Sequence, residues 1–434
     1  MISISGALIG FCVMLGLLFI GLPVAATLFL VAVLGAATYL GTPTLLAFGN
    51  NTWSVLNDFV LTSIPLFILL GEVLLRSGIT DRMYVSLSDW VSRLPGGLLH
   101  TNIAASGLFA AVSGSSVATA ATIGTVAVPA LQSRGYDDRL ALGSIAAGAT
   151  LGILIPPSIN MIIYGAMSNT SIGQLFVAGV VPGLIMMALF MGWIIVASLL
   201  RPSLVGRAEA VAPLGERLGR LVDLAPPLVI FVLVMGSIYF GWATPTEGAA
   251  LGVLVALAMA ALQRRLSFAM LNECFLSTSR ITAMILLILI AAQFVNFVIG
   301  ILGVPQALTG AIAALGATQL QVIVLLIVFY LVLGCFLETL SMMVATIPVV
   351  MPIVIHFDID PVWFGIFLVI MMEVALITPP VGMNLYVVQG VRGSGKITEV
   401  IHGALPFVAV MLLMVAILVA APEIALWLPR QMFG

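Results

Sequence analysis

The segments Thr150-Leu-Gly-Ile-Leu-Ile-Pro156-Pro157-Ser158-Ile-Asn160 and Glu373-Val-Ala-Leu-Ile-Thr378-Pro379-Pro380-Val381-Gly-Met-Asn384 decide the fold of this chain. Each carries a proline pair inside an apolar run long enough to cross a bilayer. A proline inside a helix removes a hydrogen bond and clashes with the preceding turn, at about 3 kcal/mol or more. The pairs therefore predict two helices broken at membrane depth, at matching places in two halves, which is typical of secondary transporters.

The composition predicts an all-α polytopic membrane protein. Of the 434 residues, 62% are hydrophobic and 7% are charged, whereas soluble domains carry about 25% charged residues. The net charge of −2 argues against nucleic acid as a partner. The three cysteines have no metal-ligand spacing, and no nucleophile–base pair or phosphate loop is visible in the sequence. We therefore expect no cofactor other than a coupling ion, and no enzyme.

Hydropathy predicts ten full spans and two re-entrant hairpins. The spans are 3–20, 22–40, 57–77, 138–170, 172–200, 223–241, 246–263, 281–302, 362–391 and 402–428. The apolar stretches 97–132 and 319–355 are too long for one span and have polar residues in the middle, so each is predicted to enter and leave on one side. An amphipathic arm, 79–95 or 304–316, precedes each hairpin.

The basic residues predict the sidedness. With both termini in the periplasm, every Lys and Arg except Arg430 falls on the cytoplasmic side, as expected for an inner-membrane protein. The polar segment 201–222 would then be a cytoplasmic linker between repeats 1–200 and 223–434. Because each repeat has an odd number of spans, the second is predicted to be inverted relative to the first.

Matching residues support the repeat. Pro23 pairs with Pro245, and Pro156 pairs with Pro379, at nearly constant offset.

The hairpin tips and helix breaks are the candidate binding sites. Helix N-termini suit a carboxylate, and open carbonyl groups suit Na⁺. The candidate ion-binding residues are Ser113, Ser115, Ser116, Thr119, Pro156, Glu338, Thr339, Ser341, Thr378 and Pro379. The candidate substrate-binding residues are Ser116, Pro157, Asn160, Thr346, Gly382 and Asn384. Sodium is the only metal expected.

Other interpretations stay open from the residues alone. The small residues at 113–125 could simply allow close helix packing. The proline pairs could be kinks without ligands, and Asn160 or Asn384 could join helices. Glu247 is better explained as a carboxylate at a helix N-terminus, whereas Glu72 and Glu373 are undecided.

Four motifs resemble one known family. They are Gly148-Ala-Thr-Leu-Gly-Ile-Leu-Ile-Pro-Pro-Ser-Ile159, Ser113-Gly-Ser-Ser-Val-Ala-Thr119, Trp242-Ala-Thr-Pro-Thr-Glu-Gly248 and Ile377-Thr-Pro-Pro-Val-Gly-Met-Asn384. They resemble the large membrane subunit, of DctM type, of tripartite ATP-independent periplasmic (TRAP) transporters. The resemblance implies the ion-transporter superfamily and an elevator mechanism. In that mechanism the scaffold spans, within 3–77 and 223–302, would stay fixed while the hairpins and broken helices move.

The resemblance also implies Na⁺-driven import of an organic acid that a periplasmic binding protein delivers. A small four-helix membrane subunit, separate from this chain, is the other partner that it implies. A stand-alone Na⁺/carboxylate symporter of the same superfamily is the nearest alternative, and a channel is a further one. Which organic acid is carried stays open.

Overall fold

The computed structural model describes residues 4–207 and 212–433. Residue 3 of the first predicted span, residues 208–211 of the predicted linker and both extreme termini lie outside the described residues. The described parts contain helices and connecting turns but no strand. This confirms the predicted all-α class.

Among the described residues, ten helices lie before residue 201 and eleven lie after it. The first ten are α1 (Ile4–Phe19), α2 (Val24–Gly35), α3 (Thr42–Leu56), α4 (Ser63–Arg76), α5 (Ile79–Val91), α6 (Leu98–Ser113), α7 (Ser116–Ser133), α8 (Asp138–Leu154), α9 (Ile159–Ser168) and α10 (Ile172–Leu200). The others are α11 (Leu214–Arg220), α12 (Ala225–Tyr239), α13 (Pro245–Leu262), α14 (Phe268–Leu302), α15 (Val304–Ala314), α16 (Gln319–Gly334), α17 (Thr339–His356), α18 (Pro361–Leu376), α19 (Met383–Arg392), α20 (Ile397–Ala420) and α21 (Glu423–Phe433).

The helices coincide with the predicted hairpins, arms and breaks. Helices α6–α7 and α16–α17 occupy the two predicted hairpins, each with a polar turn in the middle. Helices α5 and α15 occupy the predicted arms. Each proline pair separates two helices, α8 from α9 and α18 from α19, and each pair is joined by a cis peptide bond. The inverted orientation of the halves stays a prediction.

Six helices of the described parts are long and apolar enough to cross a membrane. They are α10, the continuous run Leu214–Tyr239, α13, α14, α17 and α20. Two pairs, bent by 59° and 41°, raise the number to eight, and the second of these is α8 with α9. Further apolar helices of 10–17 residues, including α6, α16 and α18, complete the set. The number of full spans therefore stays a prediction.

The structure corrects three element boundaries. Residues 42–56, which the span assignment left out, form α3. Helix α14 begins at Phe268 rather than 281, because Ser267 caps it by accepting a hydrogen bond from the Met270 amide at 3.2 Å. The predicted span 402–428 is instead α20 followed by α21. Pro422 disfavours helical geometry at Ala421, which adopts φ −135° and ψ 75°.

The helices that precede the two breaks form the centre of the molecule. In α8 every residue from Leu140 to Leu154 is buried, and in α18 every residue from Val362 to Leu376 is buried. Helix α8 packs against α6, α7 and α20, whereas α18 packs against α10, α16 and α17. Helices α2, α3, α4, α13 and α14 also pack together, and α4 joins them to α6 and α9. The division into scaffold and mobile domains stays a prediction.

The two halves exchange contacts across the molecule. Helix α9, after the first break, packs against α17 of the second hairpin, and α19, after the second break, packs against α7 of the first hairpin. The Tyr164 hydroxyl on α9 donates a hydrogen bond to the Pro361 carbonyl at 2.6 Å. Each half therefore contributes a half-helix that packs on the hairpin of the other half.

Arg392 connects the ends of three helices through ion pairs. It ends α19, and its side chain is only 6% exposed. It lies 2.5 Å from the Asp138 carboxylate at the start of α8 and pairs with Glu399 in the first turn of α20. The half-helix α19 is thus attached by charge to both repeats.

We predict that Arg392→Ala lowers the thermal unfolding temperature in detergent by a few degrees, because it removes a buried side chain that packs between helix ends and pairs with two carboxylates. Arg430→Ala is the matched control, since the Arg430–Glu423 pair is exposed and exposed pairs contribute little. Equal unfolding temperatures for the two variants would show that Arg392 does not stabilise the helix junction.

Candidate functional site

The turn of the first hairpin, tip 1 (residues 113–116), is held by its own hydroxyl groups. The Ser115 side chain caps α7 by accepting from the Ala118 amide at 3.4 Å. The Thr119 hydroxyl donates to the Ser115 carbonyl at 2.7 Å and lies 3.2 Å from the Ser113 hydroxyl. Ser113, Ser116 and Thr119 are all buried. The predicted ion-binding hydroxyls of this half therefore cluster at one turn.

The first helix break, break 1 (residues 155–158), lies directly against tip 1. A Cβ atom at Gly114 would be 2.8 Å from the Pro157 carbonyl oxygen. A Cβ atom at Gly152 would be 2.8 Å from the carbonyl carbon and oxygen of Ser115. Only glycine permits these approaches, and Gly114 also has φ +60°. The predicted meeting of tip and break is therefore present in the first half.

The turn of the second hairpin, tip 2 (residues 335–338), ends in a carboxylate cap. Glu338 Oε1 accepts hydrogen bonds from the amide and the hydroxyl of Ser341, at 2.7 and 2.6 Å. Its Oε2 accepts from the Leu340 amide at 3.2 Å. A carboxylate in this position stabilises the positive end of α17. Its candidate role in Na⁺ binding stays a prediction, as does that of its neighbour Thr339, which begins α17 and is buried.

The second break, break 2 (residues 377–382), is held partly by its own threonine. The Thr378 hydroxyl donates to the Val374 carbonyl at 2.6 Å, and the Gly382 amide donates to the Thr378 carbonyl at 3.1 Å. The Tyr386 hydroxyl donates to the Pro380 carbonyl at 3.0 Å. Donation by Thr378 leaves the lone pairs of its oxygen free to accept or to bind a cation.

Tip 2 and break 2 are joined by the backbone. The Val381 amide donates to the Cys335 carbonyl at 3.3 Å, and a Cβ atom at Gly334 would be 2.7 Å from the Ala375 Cβ atom. The crevice between them is lined by Leu337, Glu338, Thr339, Ala375, Leu376 and Val381, among others. Sequence reasoning missed Cys335 and Val381, because their main-chain groups make the contact and side-chain types carry no signal for it.

The two asparagines that follow the breaks are both buried. The Asn384 side chain donates to the Ala146 carbonyl of α8 at 3.3 Å, which joins the second half to the first. Its Oδ1 atom has no hydrogen-bond partner among the described residues, and the same holds for Nδ2 of Asn160. Both amides therefore have polar capacity available for a ligand.

Thr346 lies in a contact between the two helices of the second hairpin, away from the tips and breaks. Its hydroxyl lies 3.0 Å from the Tyr330 hydroxyl and donates to the Met342 carbonyl at 2.7 Å. Tyr330 is completely buried on α16. The structure thus places Thr346 against α16, the first helix of the hairpin, and its predicted substrate contact remains untested.

The site is built mainly from helix ends. Helices α6, α8, α16 and α18 end at a tip or a break, and α7, α9, α17 and α19 begin there. The ends present carbonyl oxygens suited to a small cation, and the beginnings present amides and positive dipole ends suited to an anion. No Lys or Arg lies within either tip or either break, so charge recognition there depends on the backbone.

A sequence profile described as "Tripartite ATP-independent periplasmic transporter, DctM component" matches residues 11–424. The chain belongs to this family. It is therefore one component of a three-part transporter in a membrane and not an enzyme, as the resemblance implied.

Similar proteins include the C4-dicarboxylate TRAP transporter large permease protein DctM of Rhodobacter capsulatus. It is 33% identical over 98% of this chain and 99% of its own length. The sialic acid TRAP transporter large permease protein SiaM of Vibrio cholerae is 31% identical, over 97% of each chain. The crystal structure of the Alcanivorax borkumensis YdaH transporter shares the fold, with a TM-score of 0.64 at 14% identity over 94% of this chain and 97% of that one.

We predict that Gly152→Ala separates tip 1 from break 1, because the added methyl group would overlap the Ser115 backbone. Overpacking of this kind costs about 1–3 kcal/mol, and the unfolding temperature in detergent should fall. Gly192→Ala on α10 is the matched control, since nothing lies within 4 Å of its Cβ position. If both variants unfold like the wild type, the contact is not tight.

Proposed function

We propose that this chain is the large permease subunit of a Na⁺-coupled TRAP transporter that imports an organic acid. The observation that carries the proposal is the pair of tip–break contacts in a chain of the DctM family. Each contact brings carbonyl groups and helix N-termini to one place, and these are the groups that bind Na⁺ and a carboxylate in transporters with broken helices.

The substrate class follows from the charge of the site and from the relatives. One relative is named for C4-dicarboxylates and another for sialic acid, and both substrates carry a carboxylate. With no Lys or Arg in either tip or break, the helix N-termini at Ser158 and Gly382 and the bound Na⁺ would supply the positive charge. Asn160 and Asn384, each two residues further on, would complete the substrate contacts.

The coupling ion would bind at the hydroxyl and carbonyl groups of each contact. Ser113, Ser115, Ser116 and Thr119 serve one site, with the Pro156 carbonyl. Thr339, Ser341 and Thr378 serve the other, with Glu338 and the Pro379 carbonyl. Each Na⁺ that moves through about 100 mV yields about 2.3 kcal/mol, so two ions supply several kcal/mol before their concentration gradient is counted.

The remaining features of the proposal concern the assembly. The chain would lie in a bacterial inner membrane with both termini in the periplasm. It would work with a small four-helix membrane subunit and a periplasmic substrate-binding protein. The group α6–α9 with α16–α19 would move as an elevator against α2–α4 and α12–α14, and the reciprocal packing of the halves supports an inverted repeat.

Uptake by proteoliposomes tests this function. The vesicles would contain this chain with its small subunit, and a radiolabelled organic acid would be supplied with its binding protein outside. We expect uptake only with an inward Na⁺ gradient and only with the binding protein. Uptake that persists when both the Na⁺ gradient and the binding protein are absent would contradict the proposal.

We further predict that Ser116→Ala and Thr378→Ala raise the Na⁺ concentration needed for half-maximal uptake, because each removes a hydroxyl ligand at a tip or break. Thr309→Ala on α15 is the control, since its hydroxyl also donates to a carbonyl one turn earlier, at 2.8 Å, but lies on the arm. Unchanged Na⁺ dependence in both test variants would place the ion sites elsewhere.

A further inference from the structure

Glu373 lies in the last turn of α18 and is fully enclosed by protein. Neither of its carboxyl oxygens has a hydrogen-bond partner among the described residues. The other deeply placed acid, Glu72, accepts from the Ser277 hydroxyl at 2.6 Å and pairs with Arg76 at 3.1 Å. A carboxylate withdrawn from water needs such partners. In this conformation Glu373 is therefore a neutral carboxylic acid.

The helices around α18 supply no counter-charge. Helices α8, α9, α10, α16, α17, α19, α20 and α21 pack against it. Their ionisable residues, with the cap of α17, are Asp138, Arg139, Tyr164, Tyr330, Glu338, His356, Tyr386, Arg392, Glu399, His402, Glu423 and Arg430. Within the described residues none of these hydrogen bonds to Glu373 or pairs with it. The two enclosed phenols are bonded elsewhere, Tyr164 to the Pro361 carbonyl and Tyr330 to Thr346.

The position of Glu373 couples it to break 2. The carbonyl of the next residue, Val374, accepts the Thr378 hydroxyl at 2.6 Å, and the Ala375 carbonyl accepts the Thr378 amide at 3.4 Å. These bonds from the break fix the last turn of α18. Any rearrangement of the break therefore changes the turn that carries Glu373, and with it the surroundings of the carboxyl group.

We propose that Glu373 is a proton-binding site of the transporter. It carries a proton in the conformation described here and releases it in a second conformation, in which break 2 rearranges and opens the carboxyl group to water. The O–H bond breaks, the proton passes to water, and a carboxylate remains; no other covalent bond changes. The proposal rests on the proposed transport function for its second conformation, but the two tests below measure protonation of the purified chain and need no Na⁺ gradient, so its failure and the failure of the Na⁺-coupled function are distinguishable.

Infrared spectroscopy of the purified chain tests the protonated state. We expect a carboxylic-acid C=O band at neutral pH that shifts in D₂O, shifts again in Glu373→Asp and is lost in Glu373→Gln. Glu72→Gln is the matched control and should leave the band unchanged, because the Glu72 carboxylate has the partners that Glu373 lacks, Arg76 and Ser277. If the wild type has no such band, the proposal is wrong. This outcome needs only the wild-type protein, so it can be reached even if neither Glu373 variant can be purified.

Labelling with dicyclohexylcarbodiimide tests proton release. This apolar reagent attacks protonated carboxyl groups, and mass spectrometry of the digested protein locates the adduct. Because Glu373 is enclosed here, labelling requires the second conformation. We expect an adduct at Glu373 that is lost as the pH rises and is absent in Glu373→Gln. No adduct at any pH, or one whose yield is independent of pH, would show a static buried acid and overturn the proposal.

Discussion

Backbone groups that leave a helix inside a membrane must find their partners within the protein. This chain meets the requirement twice in the same way, by placing the turn of a hairpin against a proline-broken helix. Glycine permits the contact in both halves, at Gly114 and Gly152 in one and at Gly334 in the other. In the second half a main-chain hydrogen bond, from Val381 to Cys335, completes it. The candidate site is a product of this constraint, because the groups available to ligands are those that the broken helices leave open.

The burial of α8 and α18 fixes the positions of the two breaks that follow them. Both helices are buried along nearly their whole length, so the residues that follow them emerge at fixed positions. The half-helices α9 and α19 then cross to the hairpin of the opposite half. Arg392 and Asn384 attach α19 to α8 by an ion pair and an amide hydrogen bond. The helices around the two breaks therefore form a single packed unit to which both halves of the chain contribute.

Much of this arrangement could be predicted from the sequence, because its signals are local. Adjacent prolines stop a helix wherever they occur, so the ends of α8 and α18 were predictable, as were the hairpins with polar turns. The capping role of Glu338 was harder to foresee, since one carboxylate can cap a helix or bind a cation. The early start of α14 depends on the Ser267 cap, which hydropathy does not detect. Contacts between main-chain atoms and between distant helices have no sequence signature in a single chain.

The crossing of α9 and α19 has a consequence for biogenesis. The first half of the chain leaves the ribosome before α17 and α19 have been synthesised. At that stage α9 lacks the packing of α17, and α7 lacks the packing of α19. The buried amide of Asn384 and the guanidinium of Arg392 reach α8 only after almost the whole chain has been made. The packing of the first half is therefore completed by the last part of the chain to be synthesised.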